Sequence, residues 1–103
     1  MAGEKLGIFV TTDKHLDHLL GICKALEKSG REAIIFLSSR GVLLTQQEKF
    51  KEIESLPMVI SLCNVGFEHF KLQKPVPVVK DEDFATQMRH AEMIEDCDRY
   101  LVL

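Results

Sequence analysis

The residue best suited to chemistry in this sequence is Cys63, which ends the apolar run "MVISLC" and is followed by "NVG". An apolar run that breaks at asparagine and glycine predicts a buried strand that stops there. The thiolate is the nucleophilic form of cysteine, and a nearby cation or helix N-terminus favours it. The pattern predicts a reactive thiol at a strand end. A second interpretation stays open, because free cysteine also packs as a small apolar residue.

Polar residues follow the other predicted strands at equivalent points. Carboxyl ends of parallel strands meet at one edge of a sheet, and in open α/β sheets ligands bind in the crevice beyond that edge. We therefore predict that Cys63 is the catalytic residue and that side chains and backbone N–H groups from three strand ends surround it. The predicted binding residues are Thr11, Thr12, Arg40, Asn64 and Gly66.

We predict structural roles for the other two cysteines, whereas the histidines are available as positive or proton-accepting partners of the Cys63 thiol. Cys23 falls on the apolar stripe of a predicted helix, and Cys97 lies between two aspartates. Three widely spaced cysteines form neither a disulfide framework nor a zinc motif. His15 and His18 share a helix face, but no further ligand has supporting spacing. We predict no metal and no cofactor.

Four short apolar runs predict the strands, at residues 6–10, 33–37, 58–62 and 100–103. Each is nearly continuous in hydrophobicity, as in parallel strands that are covered on both faces. Leucines at helical spacing between the first two runs predict a helix, with Asp13 as its N-cap and Gly30 at its end.

The later segments predict two more helices. Thr45 and Glu48 have the spacing of a capping box, with Phe50 and Ile53 on the apolar face. The last helix is expected to start after Asp81 or Asp83. Its predicted inward stripe is Phe84, Met88, Ala91 and Ile94.

The segment 67–80 is left open between an edge strand and an extended loop, because Pro75 and Pro77 exclude a central strand. The alternation of strands and helices predicts one α/β domain over residues 1–103. The expected architecture is a three-layer sandwich with a mainly parallel sheet, flavodoxin-like or Rossmann-like.

Composition excludes several classes of protein. The 103 residues are 46% hydrophobic and 28% charged, with a formal net charge of −3, which is typical of one globular domain. Lysine and arginine are scattered among acidic residues, so no nucleic-acid partner is predicted. The start of the chain lacks the pattern of a secretion signal and no membrane span is predicted, so we expect a cytoplasmic protein.

Four stretches resemble, in order and spacing, the DsrE/DsrF-like (DsrE/TusD-type) family of small sulfur-relay proteins. They are the first strand with "TTD", the stretch "ALEKSGREAIIFLSSRGVLL", the strand "MVISLC" and the closing "MIEDCDRYLVL". The recognisable points are Gly41 and Val42 after the second strand, the cysteine ending the third, and an acidic residue before the last. The resemblance implies a parallel sheet, oligomeric assembly and a persulfide on Cys63.

The sequence thus predicts a small sulfur carrier or sulfurtransferase-like protein, a carrier rather than a turnover enzyme. Its expected partners are further copies of itself and sulfur donor and acceptor proteins. A non-catalytic oligomeric subunit or partner-binding module of the same fold is the alternative. A nucleotide-binding domain is disfavoured, because "VTTDKH" lacks the glycines that let a backbone approach phosphate.

Overall fold

The computed structural model describes residues 4–56 and 58–103 as an α/β domain around a five-stranded sheet, in which all pairings are parallel. The strand order is β4-β3-β2-β1-β5. The strands are β1 (Lys5–Val10), β2 (Glu32–Leu37), β3 (Met58–Cys63), β4 (Phe84–Ala85) and β5 (Arg99–Val102). The predicted fold class is confirmed. The order β3-β2-β1 is that of the first half of a Rossmann sheet.

Helices cover the two faces of the sheet unequally. They are α1 (Leu16–Lys28), α2 (Asn64–His69) and α3 (Gln87–Asp96). On one face, α1 and α2 pack with two 3₁₀ segments, Ser39–Gln46 and Glu48–Ser55. On the other face α3 packs against β1 and β2. No described helix is long and apolar enough to cross a membrane.

The larger core lies between the sheet and α1. Alternate strand residues such as Ile8, Ile35 and Leu62 point to this face and are fully buried. Leu19 of α1 and Phe50 of the second 3₁₀ segment pack in the same cluster. This core explains why the strand residues that face α1 are apolar.

The smaller core lies under α3 and consists of Phe36, Cys63 and Met93, with Phe9 and Ile34 packed against it. A single helix of ten residues leaves part of this face uncovered. The exposed apolar strand residues are Val59, Tyr100 and Val102, with exposed fractions of 54%, 44% and 52%.

The first helix ends as predicted but starts differently. Gly30 has φ 72° and its N–H bonds to the carbonyl of Glu27, while the N–H of Arg31 bonds to the carbonyl of Leu26. This is the Schellman pattern. The Asp13 cap is wrong: His15 occupies the N-cap and makes no side-chain capping bond.

The predicted capping box is also wrong. The hydroxyl of Thr45 donates to the carbonyl of Val42 at 2.8 Å, so it caps no following helix. The segment instead forms the two 3₁₀ runs, interrupted by the extended residue Gln47. The predicted burial of Phe50 and Ile53 is confirmed.

The inward face of α3 differs from the predicted stripe. The hydroxyl of Thr86, not a carboxylate of Asp81 or Asp83, caps the helix by accepting from the N–H of Met88 at 3.2 Å. Met88, Ala91 and Ile94 are exposed, and Phe84 lies in β4 rather than in the helix, whereas Met93 is the buried residue of α3. The reason for the difference is an aromatic contact. His90, on the inner side of α3, stacks on Phe9 of β1, and this contact sets the rotation of the helix.

The open segment 67–80 begins inside α2 and then continues without a strand. Val79 is buried in the larger core, so an irregular segment supplies core packing here. The edge strand beside β3 is formed by Phe84–Ala85 instead. The loop alternative is therefore the correct one.

Candidate functional site

Cys63 is the last residue of β3 and the residue immediately before α2, as the sequence predicts. Its side chain belongs to the face of the sheet under α3, where it clusters with Phe36 and Met93. Only 7% of the residue is exposed. The thiol is therefore nearly buried, although it lies at the end of β3, where a cavity begins.

The cavity lies beyond the carboxyl ends of β2 and β3 and has a volume of about 550 Å³. Pockets of this size are typical of small-molecule sites. It is lined by Ser38, Ser39, Arg40, Cys63, Val65, Gly66, His69, Phe70, Thr86 and Gln87. Four parts of the chain thus meet around the thiol: the end of β2, the end of β3, α2 and the start of α3.

A hydrogen bond joins two sides of this cavity. The side-chain amide of Gln87, at the start of α3, donates to the hydroxyl of Ser38 at 3.0 Å. Ser38 is buried, and its carbonyl accepts from the N–H of Gly41 at 2.8 Å. The next residue, Ser39, has φ 50°, a left-handed conformation that is uncommon for serine. The start of the 3₁₀ segment is therefore tightly constrained beside the thiol.

Arg40 supplies the positive charge at the cavity. Its Nη2 atom lies 3.5 Å from the Asp13 carboxylate, and its guanidinium lies 6.0 Å from the centre of the Phe70 ring. The Arg40 side chain is 61% exposed. Among the described lining residues none carries a carboxylate, and His69 is the other titratable group besides Cys63.

Three of the six predicted site residues line this cavity: Cys63, Arg40 and Gly66. Thr11 and Thr12 do not, because β1 ends beside β5 rather than beside β3. The N–H and hydroxyl of Thr11 donate to the Leu103 carbonyl at 2.7 and 3.3 Å. Within the described parts of the chain, the buried hydroxyl of Thr12 has no hydrogen-bond partner.

Asn64 also does not line the cavity; it is the first residue of α2. Sequence reasoning missed Gln87, which closes the cavity from the far side. Gln87 and Ser38 are 49 residues apart, and neither has a local pattern that indicates their contact. The position of Ser38 and Ser39 after the second apolar run does predict that they lie at this edge of the sheet, and both line the cavity.

The other two cysteines lie outside the cavity. Cys23 is fully buried in the larger core, and burial raises the pKa of its thiol to about 11. Cys97 is half-buried, and its thiol donates to the carbonyl of Ile94 at 3.7 Å. All three are free cysteines. Cys63 is therefore the cysteine with access to a cavity.

The histidines outside the cavity lie at two separate places, the start of α1 and the inner side of α3. The rings of His15 and His18 are 6.4 Å apart, on the exposed start of α1. No group of three or more potential metal ligands occurs in the described parts of the chain. His90 of α3 stacks on Phe9 with ring centres 3.8 Å apart, and its Nε2 atom lies 2.8 Å from the Tyr100 hydroxyl.

The arrangement places a thiol and a guanidinium on the lining of one cavity, and none of the described lining residues is acidic. In comparisons with known proteins, no family model, curated protein or solved structure matches this chain.

Proposed function

We propose that this protein is a small sulfur carrier of the DsrE/DsrF-like type, which bears a persulfide on Cys63. The observation that carries the proposal is that Cys63 alone of the three cysteines lines the cavity at the strand ends. A carrier needs one thiol that can be reached and that has room for an additional sulfur. Cys23, packed in the core, offers neither.

The proposed reaction is an exchange of sulfur between thiols. The Cys63 thiolate attacks the outer sulfur of a donor persulfide, R–S–SH. A new S–S bond forms on Cys63, the S–S bond of the donor breaks, and its electron pair leaves with the donor as R–S⁻. The proton stays on the transferred sulfur or passes to solvent. An acceptor thiolate then repeats the attack and regenerates Cys63.

The surroundings of Cys63 support this chemistry. Arg40 lines the same cavity as Cys63 and supplies a positive charge there. A carboxylate would oppose an anionic sulfur, and none lines the described cavity. The hydrogen bond between Gln87 and Ser38 fixes the start of α3 over the site, so the space beside the sulfur is preformed.

The test is transfer of sulfur from a persulfide donor. The protein is incubated with a persulfidated small thiol or protein, and its intact mass is measured. We expect a gain of about 32 mass units that reductant removes, since persulfidation is a reversible cysteine modification. Peptide mapping should place the sulfur on Cys63. Cys63→Ser should gain none, while Cys97→Ser, the matched control, should load normally.

A second function, a non-catalytic oligomeric subunit or partner-binding module, is favoured by a different observation. Tyr100 and Val102 of the edge strand β5 are exposed apolar residues on the thinly covered face. Exposed apolar residues that cluster on a surface are typical of interfaces. If Cys63 gains no sulfur from any donor while it reacts with small alkylating reagents, this second function replaces the first.

The proposed setting follows from the thiols and the exposed face. Three free cysteines suit a reducing compartment, so we propose that the carrier works in the cytoplasm. We also propose that it assembles as a homo-oligomer. The edge strand β5, with its exposed apolar side chains, supports that assembly.

A further inference from the structure

We infer that the sulfur donor for Cys63 is a low-molecular-weight persulfide that carries a carboxylate, and that this carboxylate binds Arg40. The inference rests on the proposed function and makes its substrate class specific. It concerns the cavity as a binding site, in which Cys63 receives the sulfur and Arg40 recognises the rest of the donor.

The depth of the thiol favours a small donor. Cys63 is 7% exposed and is reached through a cavity of about 550 Å³. A cysteine on the surface of a folded donor protein would have to project into this space, whereas a small thiol, the size of a short peptide or less, fits within it. Small-molecule sites bury most of their ligand in pockets of this size.

The charge of the cavity favours a carboxylate. Arg40 is the lining residue with a permanent positive charge, and no described lining residue is acidic. The contrast with another cavity of the molecule is clear. A cavity of about 420 Å³ beside the C-terminal half of α3 is lined by four acidic residues, Glu32, Glu92, Glu95 and Asp96, together with Lys5 and Arg89. The protein as a whole has a net charge of −3, and Asp13 contacts Arg40 from outside the lining of the Cys63 cavity.

Arg40 is able to exchange partners. Its contact with Asp13 is long, at 3.5 Å, and its side chain is 61% exposed. Guanidinium groups bind carboxylates through two parallel hydrogen bonds when the geometry allows. A carboxylate of the sulfur donor can therefore accept hydrogen bonds from the Arg40 guanidinium. The face of the Phe70 ring, whose centre lies 6.0 Å from the guanidinium, supports it in this position.

The transfer itself balances without a further reactant. Cys63–S⁻ and R–S–SH give Cys63–S–SH and R–S⁻, so one S–S bond forms and one breaks. The leaving R–S⁻ is a small carboxylate-bearing thiol that can diffuse out of the cavity. The loaded sulfur extends Cys63 by one S–S bond, about 2 Å, which brings the transferable atom closer to the acceptor.

The experiment compares donors that differ in one charge. The persulfides of N-acetylcysteine and N-acetylcysteine amide have nearly the same size, but only the first has a carboxylate. Loading rates of Cys63 are measured by quenched intact mass. We expect the carboxylate donor to react faster by about threefold, the scale of one exposed ion pair, and the preference to shrink at high salt.

The variant Arg40→Gln should remove this preference, so that the carboxylate donor and the neutral donor load at the same rate. The control variant Arg99→Gln removes the same charge at the amino-terminal end of β5, and it should retain the preference for the carboxylate donor. A third donor arm uses a persulfidated protein. Loading from that protein alone, or equal rates for both small donors, overturns this inference but leaves the carrier function intact. No loading from any arm overturns both.

Discussion

Cys63 and Cys23 both have small exposed fractions, yet their surroundings differ. Cys23 packs among leucine and isoleucine side chains of the larger core, and that burial raises the pKa of its thiol to about 11. Cys63 has an apolar wall on one side and a cavity with Arg40 on the other. The exposed fraction alone would not separate them; what lies next to the sulfur does.

The order of thiol reactivity is the first prediction. At about pH 8, Cys23 is almost wholly in the unreactive thiol form, so we expect it to resist iodoacetamide until the protein unfolds. Cys63 should label first, because reagent can enter the cavity. Mass-resolved alkylation of the folded protein measures all three rates. Faster labelling of Cys97 than of Cys63 would contradict the assignment.

The second prediction concerns His90, whose pKa is lowered because burial disfavours the charged ring. The group that faces it across the α3–β5 contact is the Tyr100 hydroxyl. Below about pH 6.5, the His90 ring takes up a proton more readily in the unfolded chain than in the folded one. The free energy of unfolding should therefore fall as the pH drops below that value.

The variant His90→Phe preserves stacking on Phe9 and removes the titration. Its stability, measured by urea denaturation, should depend less on pH between about pH 7 and pH 5 than that of the wild type. His18→Gln, at an exposed position of α1, serves as the control and should keep the wild-type dependence. An unchanged pH dependence in His90→Phe would contradict this role of burial.

Sequence reasoning succeeded for single residues where chain neighbours decide their position. Cys63 was placed at a strand end because the apolar run and its breaking residues are local. Thr11 and Thr12 were assigned to the same site on the assumption that all strand ends share one crevice. The strand order puts β2 between β1 and β3, so the end of β1 meets the end of β5 instead, and that order is not encoded in any one segment.

At the scale of elements, the strands were easier to predict than the helix faces. Four strand positions followed from apolar runs. Three of these strands differ from the prediction by one residue at their start or end, and β5 is shifted by one residue at both ends. The short strand β4 was not predicted, because Phe84 was assigned to the last helix. The face of α3 was misjudged because Met88 and Ile94 fit an apolar stripe, whereas His90 stacks on Phe9 and turns the helix. An aromatic contact with a distant strand thus overrode the hydrophobic pattern.

The third prediction tests the packing of the first 3₁₀ segment on β1. A Cβ atom at Gly41 would overlap the carbonyl oxygen of Val10, which already accepts from the N–H of Ser38. Gly41→Ala should therefore lower the free energy of unfolding by about 1–3 kcal/mol, as overpacking does. Urea denaturation measures the change.

Gly21→Ala is the matched control within α1. A Cβ atom there meets nothing within 4 Å, and alanine has the higher helix propensity. We expect the control to raise stability by about 0.5–1 kcal/mol. If both glycine variants had the same effect, the close approach of Gly41 to β1 would not be the cause.

At the scale of the whole molecule, the two faces of the sheet are covered to different extents. The α1 face is covered by helices and 3₁₀ segments, and its core residues are fully buried. The α3 face leaves Val59, Tyr100 and Val102 exposed on either side of one helix. A surface of this kind is expected to be covered in an assembly.

The fourth prediction is that the protein self-associates through β5. Size-exclusion chromatography with light scattering should give a mass above 11.7 kDa at micromolar concentration. Val102→Lys should shift the equilibrium toward the monomer, because it places a charge on the exposed apolar edge. Met88→Lys, at an exposed site on α3, is the control. A monomeric wild type would contradict the assembly.

The position of β1 between β2 and β5 also determines the order in which the chain can acquire its structure. β1, α1 and β2 follow one another directly, whereas the N–H of Lys5 bonds to the side chain of Asp98 across 93 residues. Closing the longer loop costs more entropy, so a nucleus built from β1, α1 and β2 should precede the arrival of β5. In kinetic terms, Ile35→Val should mainly slow folding and Leu101→Ala should mainly speed unfolding.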